Sequence, residues 1–153
     1  MLDIYVDGDG CPVKDEVFRV ASRYDLKVFV VSNSWMRIPE SSRVQLILVE
    51  EGTDVADDWI AEHVEKDDIV ISGDIPLASR CLKRGAGVIG NTGRPFDEDN
   101  ICDALSVRNL LHGLREEGMM IGGPKPFDRK DRSRFLQALD EMIVGIRRRN
   151  ASR

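Results

Sequence analysis

The sequence predicts an α/β fold, with a mostly parallel central sheet of about five strands flanked by helices in a single domain over residues 1–153. Three observations predict it. Short, β-branched apolar runs alternate with segments of helical periodicity, at a spacing that suits right-handed βαβ units. A length of 153 residues is enough for one compact core. With 42% apolar and 32% charged residues, the composition is that of a folded soluble domain rather than a disordered chain.

Each element has its own signal. Ile4–Asp7 is short and apolar and reads as a buried strand. Pro12 suits the first turn of a helix, along which Val13, Val17, Val20 and Ala21 recur at helical spacing. Lys27–Val31 and Gln45–Val49 read as the second and third strands. Thr53 reads as an N-cap, followed by acidic residues that favour a helix start; Ala56, Trp59, Ile60, His63 and Val64 share one face of that helix. Ile69–Ile71 is the fourth strand, Ile75–Lys83 a helix stopped by Gly85, and Gly87–Ile89 a short fifth strand. After the turn T92-G-R-P-F96 come two long helical patterns, about 97–115 and 128–149. A Gly/Pro-rich link over 118–127 joins them, so the last helix is a basic C-terminal one.

Charge and cysteine usage bound the function. The net charge of −5 does not advertise a nucleic-acid binder. Residues 124–153 hold nine Lys/Arg against four Asp/Glu, a balance of +5 that leaves −10 for the remainder. An acidic body with a basic C-terminal segment can pair metal-binding carboxylates with a phosphate-binding arm; a solvated helix face explains the same pattern. Cys11, Cys81 and Cys102 show no CxxC spacing, which argues against disulfides and zinc, and Cys11 reads as a small buried thiol. No basic leader or apolar run of membrane-spanning length is present, so the expectation is a cytoplasmic protein with no membrane partner. The oligomeric state is left open, a homodimer included.

The acidic residues carry the chemistry. Ligands of an open parallel sheet bind outside the carboxyl ends of its strands. Asp7 ends the first strand, Asp9 follows in its loop, and Asp74 ends the fourth. Asp57 lies about one turn into the helix between the third and fourth strands, at the border of its apolar face. The four are therefore expected to converge on one rim. Converging carboxylates repel unless protons or cations intervene. All-oxygen ligation without paired His or Cys points to Mg²⁺ or Mn²⁺, with Asp7, Asp9 and Asp74 as ligands. Asp57 would orient the attacking water or complete the shell. Such sites usually serve phosphate chemistry. Taken singly, each Asp reads by default as an Asx-turn or a helix cap, as do Asp54 and Asp58, and Asp67-Asp68 reads as a solvated turn.

V6-D-G-D9, D54-V-A-D-D-W-I-A61 and V70-I-S-G-D74 resemble motifs of the PIN and NYN metal-dependent ribonucleases. Asp7, Asp57 and Asp74 match three acidic positions of that group, and Asp9 matches the second acid of the NYN-like first motif. A closer resemblance spans nearly the whole chain. D7-x-D-x-C-P-V-K14, S72-G-D-I-P-L-A78, G93-R-P-F96, G122-G-P-K-P-F127 and D131-R-S-R-F-L-Q-A-L-D140 are similar to the YaiI/YqxD family, small bacterial proteins grouped with PIN-like domains and without an established activity. The resemblance implies a PIN-like fold and, by analogy only, nuclease chemistry on RNA. One departure stands out: the run G73-D-I-P-L77 lacks the second Asp of the NYN pattern, so this corner supplies one carboxylate instead of two.

Phosphate-facing candidates are Arg94 in the turn after the fifth strand, Lys125, Arg132 and Arg134 near the start of the last helix, and Ser32 at the second strand's end. Arg108 is a further candidate, and Asp128 is placed to cap the last helix. Phe96 and Phe127 would stack on bases or pin loops to the core. His63 and His112 form no catalytic pair. Three function classes are carried forward. They are a Mg²⁺- or Mn²⁺-dependent nuclease, a non-catalytic RNA- or nucleotide-binding module, and a phosphatase resembling the haloacid-dehalogenase type with Asp7 as nucleophile.

Overall fold

The computed structural model describes residues 2–8, 11–52, 54–97, 100–101 and 129–151. Its elements run β1 (Ile4–Asp7), α1 (Lys14–Tyr24), β2 (Val28–Ser32), β3 (Val44–Leu48), α2 (Val55–His63), β4 (Ile69–Ile71), α3 (Ile75–Lys83), β5 (Gly87–Ile89), β6 (Pro95–Phe96) and α4 (Arg129–Ala151). The six strands form one sheet in the order β3-β2-β1-β4-β5-β6. All neighbours are parallel except β5 and β6. The fold class expected from the sequence is therefore what the chain adopts, with one strand more.

Alternation along the strands sorts the core into two layers. Ile4, Val6, Val28, Val30, Ile69 and Ile71 meet Val17, Val20 and Ala21 of α1 and Phe135, Leu139, Ile143 and Ile146 of α4. Tyr5, Val31, Val70 and Val88 face Ile60 and Ala61 of α2 and Leu77, Ala78 and Cys81 of α3. Burying each large apolar side chain contributes roughly 1.5–3 kcal/mol, so strands this short hold because both faces are covered. Asp25 ends α1 in the left-handed conformation, and Gly85 does the same just beyond α3.

Several local expectations are corrected. The antiparallel β6 lies inside the segment read as a turn; two residues are too few to show a period. Pro12 precedes α1, which begins at Lys14 with Val13 at the capping position. Thr53 lies outside the described residues; Asp54 occupies the position before α2 and makes no side-chain cap bond. Asp68 is not a solvated turn residue. It is buried, and its two oxygens accept the N–H groups of Asp3 and Glu65, each at 2.9 Å. Cys102, Arg108, His112, Phe127, Asp128, the 118–127 link and nearly all of the 97–115 helix fall outside the described residues.

Candidate functional site

The order 3-2-1-4-5-6 reverses direction between β1 and β4, the switch point at whose carboxyl end open parallel sheets place their ligands. Asp7 closes β1 and Asp74 follows β4 after two residues, so both stand on that rim. Ser72 links them. Its hydroxyl donates to Asp7 Oδ2 at 3.3 Å and accepts the N–H of Asp74 at 3.0 Å. Asp74 also N-caps α3, its Oδ1 accepting the N–H of Leu77 at 2.9 Å, with Pro76 in the first turn. The same helix start thus fixes the carboxylate in place.

Asp57, in the first turn of α2, completes the group. Burial, then the charges of Asp74, Asp7 and Asp54, and a side-chain hydrogen bond with Asp74 push its carboxyl from 3.8 up to about 7. The proton so retained is the one Asp57 shares with Asp74 in that hydrogen bond. Asp7, Asp54 and Asp57, with Asn33, Glu50 and Gly52, line a cavity of about 210 Å³. Gly8 sets the chain's exit from β1. A Cβ there would stand 2.9 Å from Val30 and 3.0 Å from the Val31 carbonyl, so only glycine lets the backbone pass this close. Lys14 Nζ donates to the carbonyls of Gly8 and Cys11.

Of the four acids expected on this rim, the Ser72 hydroxyl links Asp7 to the Asp74 N–H and Asp57 hydrogen-bonds Asp74; Asp9 and Lys125 lie outside the described residues. Among the described residues, no three His, Cys, Asp or Glu side chains are arranged as a ready-made metal cage. The donor set still fits a hard cation in kind. It is anionic and all-oxygen, and Mg²⁺ commonly binds through one or two carboxylates, waters and substrate phosphate.

The basic candidates divide. Arg94 is exposed in the β5–β6 turn, at the same end of the sheet. Gly93 beside it has φ +88, and a Cβ there would lie 2.7 Å from the Arg134 carbonyl, so the turn and α4 touch backbone to backbone. Arg134 is largely exposed, 4.0 Å from Asp131. Arg132 donates to the Pro12 carbonyl at 2.8 Å and to Glu16 at 3.1 Å, which fastens α4 to the loop after β1. Ser32 is a correction. It is fully buried, and its hydroxyl donates to the Ser34 carbonyl and accepts the Ser34 N–H, so it closes a turn and offers phosphate no open face. Phe96 packs against the α2/α3 core layer, the pinning role. Cys11 is buried, with burial pushing its thiol up, as expected of an inert cysteine. His63 stacks on Trp59 with centroids 3.8 Å apart.

Sequence reasoning missed Ser72 as the bridge and Lys14 as the donor to the Gly8 and Cys11 carbonyls. Both stand inside the quoted motifs, S72-G-D74 and C11-P-V-K14, but a strand-end hydroxyl and a helix-start lysine carry no distinctive pattern. Glu50 was missed because cavity lining is a tertiary property.

The family described as "Uncharacterized BCR, YaiI/YqxD family" matches residues 5–145. A UPF0178 protein of Paramagnetospirillum magneticum is 55% identical over 148 residues, covering 97% of this chain and 98% of its own length. A UPF0178 protein of Nitrobacter winogradskyi is 53% identical over 99% of this chain and 97% of its own. One from Rhodospirillum rubrum is 51% identical over 96% and 99%. No solved structure matches. No helix among the described residues is long and apolar enough to cross a membrane.

Proposed function

This chain belongs to the YaiI/YqxD family, whose description assigns no activity, and from that premise we propose a Mg²⁺- or Mn²⁺-dependent phosphodiesterase acting on RNA at the acidic rim. The observation that carries the reading is the meeting of Asp7, Asp57 and Asp74 at the switch point of the sheet, from three separate elements. Folding three carboxyls together costs free energy, and a bound cation offsets that cost. The choice of RNA rests on the resemblance of V6-D-G-D9 and V70-I-S-G-D74 to the ribonuclease motifs.

Asp7 and Asp74 would hold the ion, and the sequence offers Asp9, outside the described residues, as a third ligand. The ion would supply charge neutralisation on the phosphoryl oxygens and a more acidic water. Ser72 holds Asp7 in position by its hydrogen bond, and the α3 cap holds Asp74. A carboxylate oxygen of Asp57 accepts the proton of the attacking water, a task suited to a group that titrates near neutrality. Arg94 and Arg134, both exposed, offer bidentate guanidinium forks to flanking phosphates.

The test is cleavage of single-stranded RNA by the full chain with Mg²⁺ or Mn²⁺, against the same reaction with chelator and with Asp7→Asn. Cleavage that needs the metal and falls on the order of 10²-fold or more in the variant supports the reading. Equal rates in the two proteins, or RNA binding without cleavage under either ion, overturn it, the second in favour of a binding module.

A further inference from the structure

The two edges of the sheet are treated differently. At one edge β6 is only two residues long and begins with Pro95. At the other, β3 runs for five residues, V44-Q-L-I-L48, with no charge and no proline, and among the described residues pairs only with β2. Folded proteins usually blunt an open edge with Lys, Pro, bulges or very short strands, because unpaired peptide groups recruit another strand. Trp35 (75%) and Leu48 (56%) are the two exposed large hydrophobic residues among those described, and both belong to this side. Trp35 shares a hollow of about 590 Å³ with Leu46, which lies on the same strand face as Leu48.

We infer that the β3 edge is a self-association surface on which two copies of this chain pair antiparallel about a two-fold axis. The backbone is oriented for it. The Arg43 carbonyl accepts from Val28 N–H at 2.8 Å, and Val49 N–H donates to the Ser32 carbonyl at 2.9 Å, so odd-numbered residues bond inward to β2. The peptide groups of Leu46 and Leu48 therefore point outward, to the open edge.

Charge selects the occupant and the direction. Arg43 stands at the strand's entry, and Glu50 and Glu51 follow its exit. A parallel neighbour of the same sequence would set like charges together, whereas an antiparallel copy sets each basic end against an acidic one. With Leu46 opposite Leu48 and Ile47 opposite itself, the paired strand residues share a face of the sheet, and Arg43 in the turn before the strand comes beside Glu51 in the bend after it on the other copy. Arg43 now bridges to Asp25 at 2.6 Å. Arg43 also donates to the Asp25 carbonyl at 3.0 Å, and since both side chains face solvent these contacts can be exchanged for one with Glu51 of a second copy.

Sedimentation or light scattering on the full chain reads the outcome. The expected result is a mass of twice 17.2 kDa for the wild type and a monomer for Leu48→Lys, with an unchanged circular dichroism spectrum. Arg43→Glu should weaken the dimer roughly tenfold, for two symmetry-related cross-strand pairs, and Arg43→Glu combined with Glu51→Arg should restore it. A wild type that is monomeric at micromolar concentration overturns the inference. So does a dimer that Leu48→Lys leaves intact. Failure of the double reversal to restore affinity overturns the antiparallel register.

Discussion

Replacing Asp57 by Asn isolates the electrostatic cost of the acidic rim, because the amide can still donate to Asp74 but cannot ionise. In the unfolded chain the carboxyl titrates near 3.8; in the fold, burial and the charges of Asp74, Asp7 and Asp54 raise it to about 7. Between those values the folded state keeps a proton that the unfolded state has released. Stability from this group is therefore complete below about pH 4, is lost progressively as pH rises, and is gone above about pH 7. At about 1.4 kcal/mol per pH unit the upper limit is about 4 kcal/mol. Asp57 lines an open cavity where solvent screens it, which reduces the figure to about 1–2 kcal/mol. Asp57→Asn is thus expected to be more stable than wild type by about 1–2 kcal/mol near pH 8, or about 2–8 °C in Tm. The difference should vanish near pH 4. Urea denaturation followed by far-UV circular dichroism at the two pH values measures it. A variant less stable than wild type near pH 8, or a difference that does not change with pH, refutes the reasoning.

Two other perturbations probe how the rim is held. Ser72→Ala removes the hydroxyl shared by Asp7 and the Asp74 N–H; a loss of about 0.5–1.5 kcal/mol in chemical denaturation is expected. Gly93→Ala forces a Cβ to 2.7 Å from the Arg134 carbonyl at φ +88 and should cost about 1–3 kcal/mol. Gly73→Ala is its control. The nearest atom there, at 3.8 Å on Asn91, leaves room, and denaturation should shift by less than about 0.5 kcal/mol.

The centre of the sheet was legible because buried parallel strands are short β-branched runs with turn residues on either side. Ile4–Asp7, Ile69–Ile71 and Gly87–Ile89 were read with the ends the structure gives. At β2 and β3 the ends moved by one residue, since Lys27 and Val49 fit a strand or a loop equally well in sequence. The rim was legible because its acids stand at strand ends and on a helix's inner border, positions that periodicity fixes. Asp68 was misread for the opposite reason. In sequence it is half of an Asp-Asp pair in a turn, and only the return of Asp3 beside it makes it a buried acceptor. Ser32 likewise looked like an open strand-end hydroxyl until burial and the Ser34 turn closed it off.

Calorimetric titration of Mn²⁺ into the full chain near pH 7.5, beside Asp7→Asn, goes most directly to whether the carboxyls of β1, α2 and α3 assemble around a cation. The expected result is saturable binding by the wild type, proton release as Asp57 ionises, and an affinity reduced at least about tenfold in the variant. Heat no greater than dilution in the wild type, or equal binding by the two proteins, would contradict it.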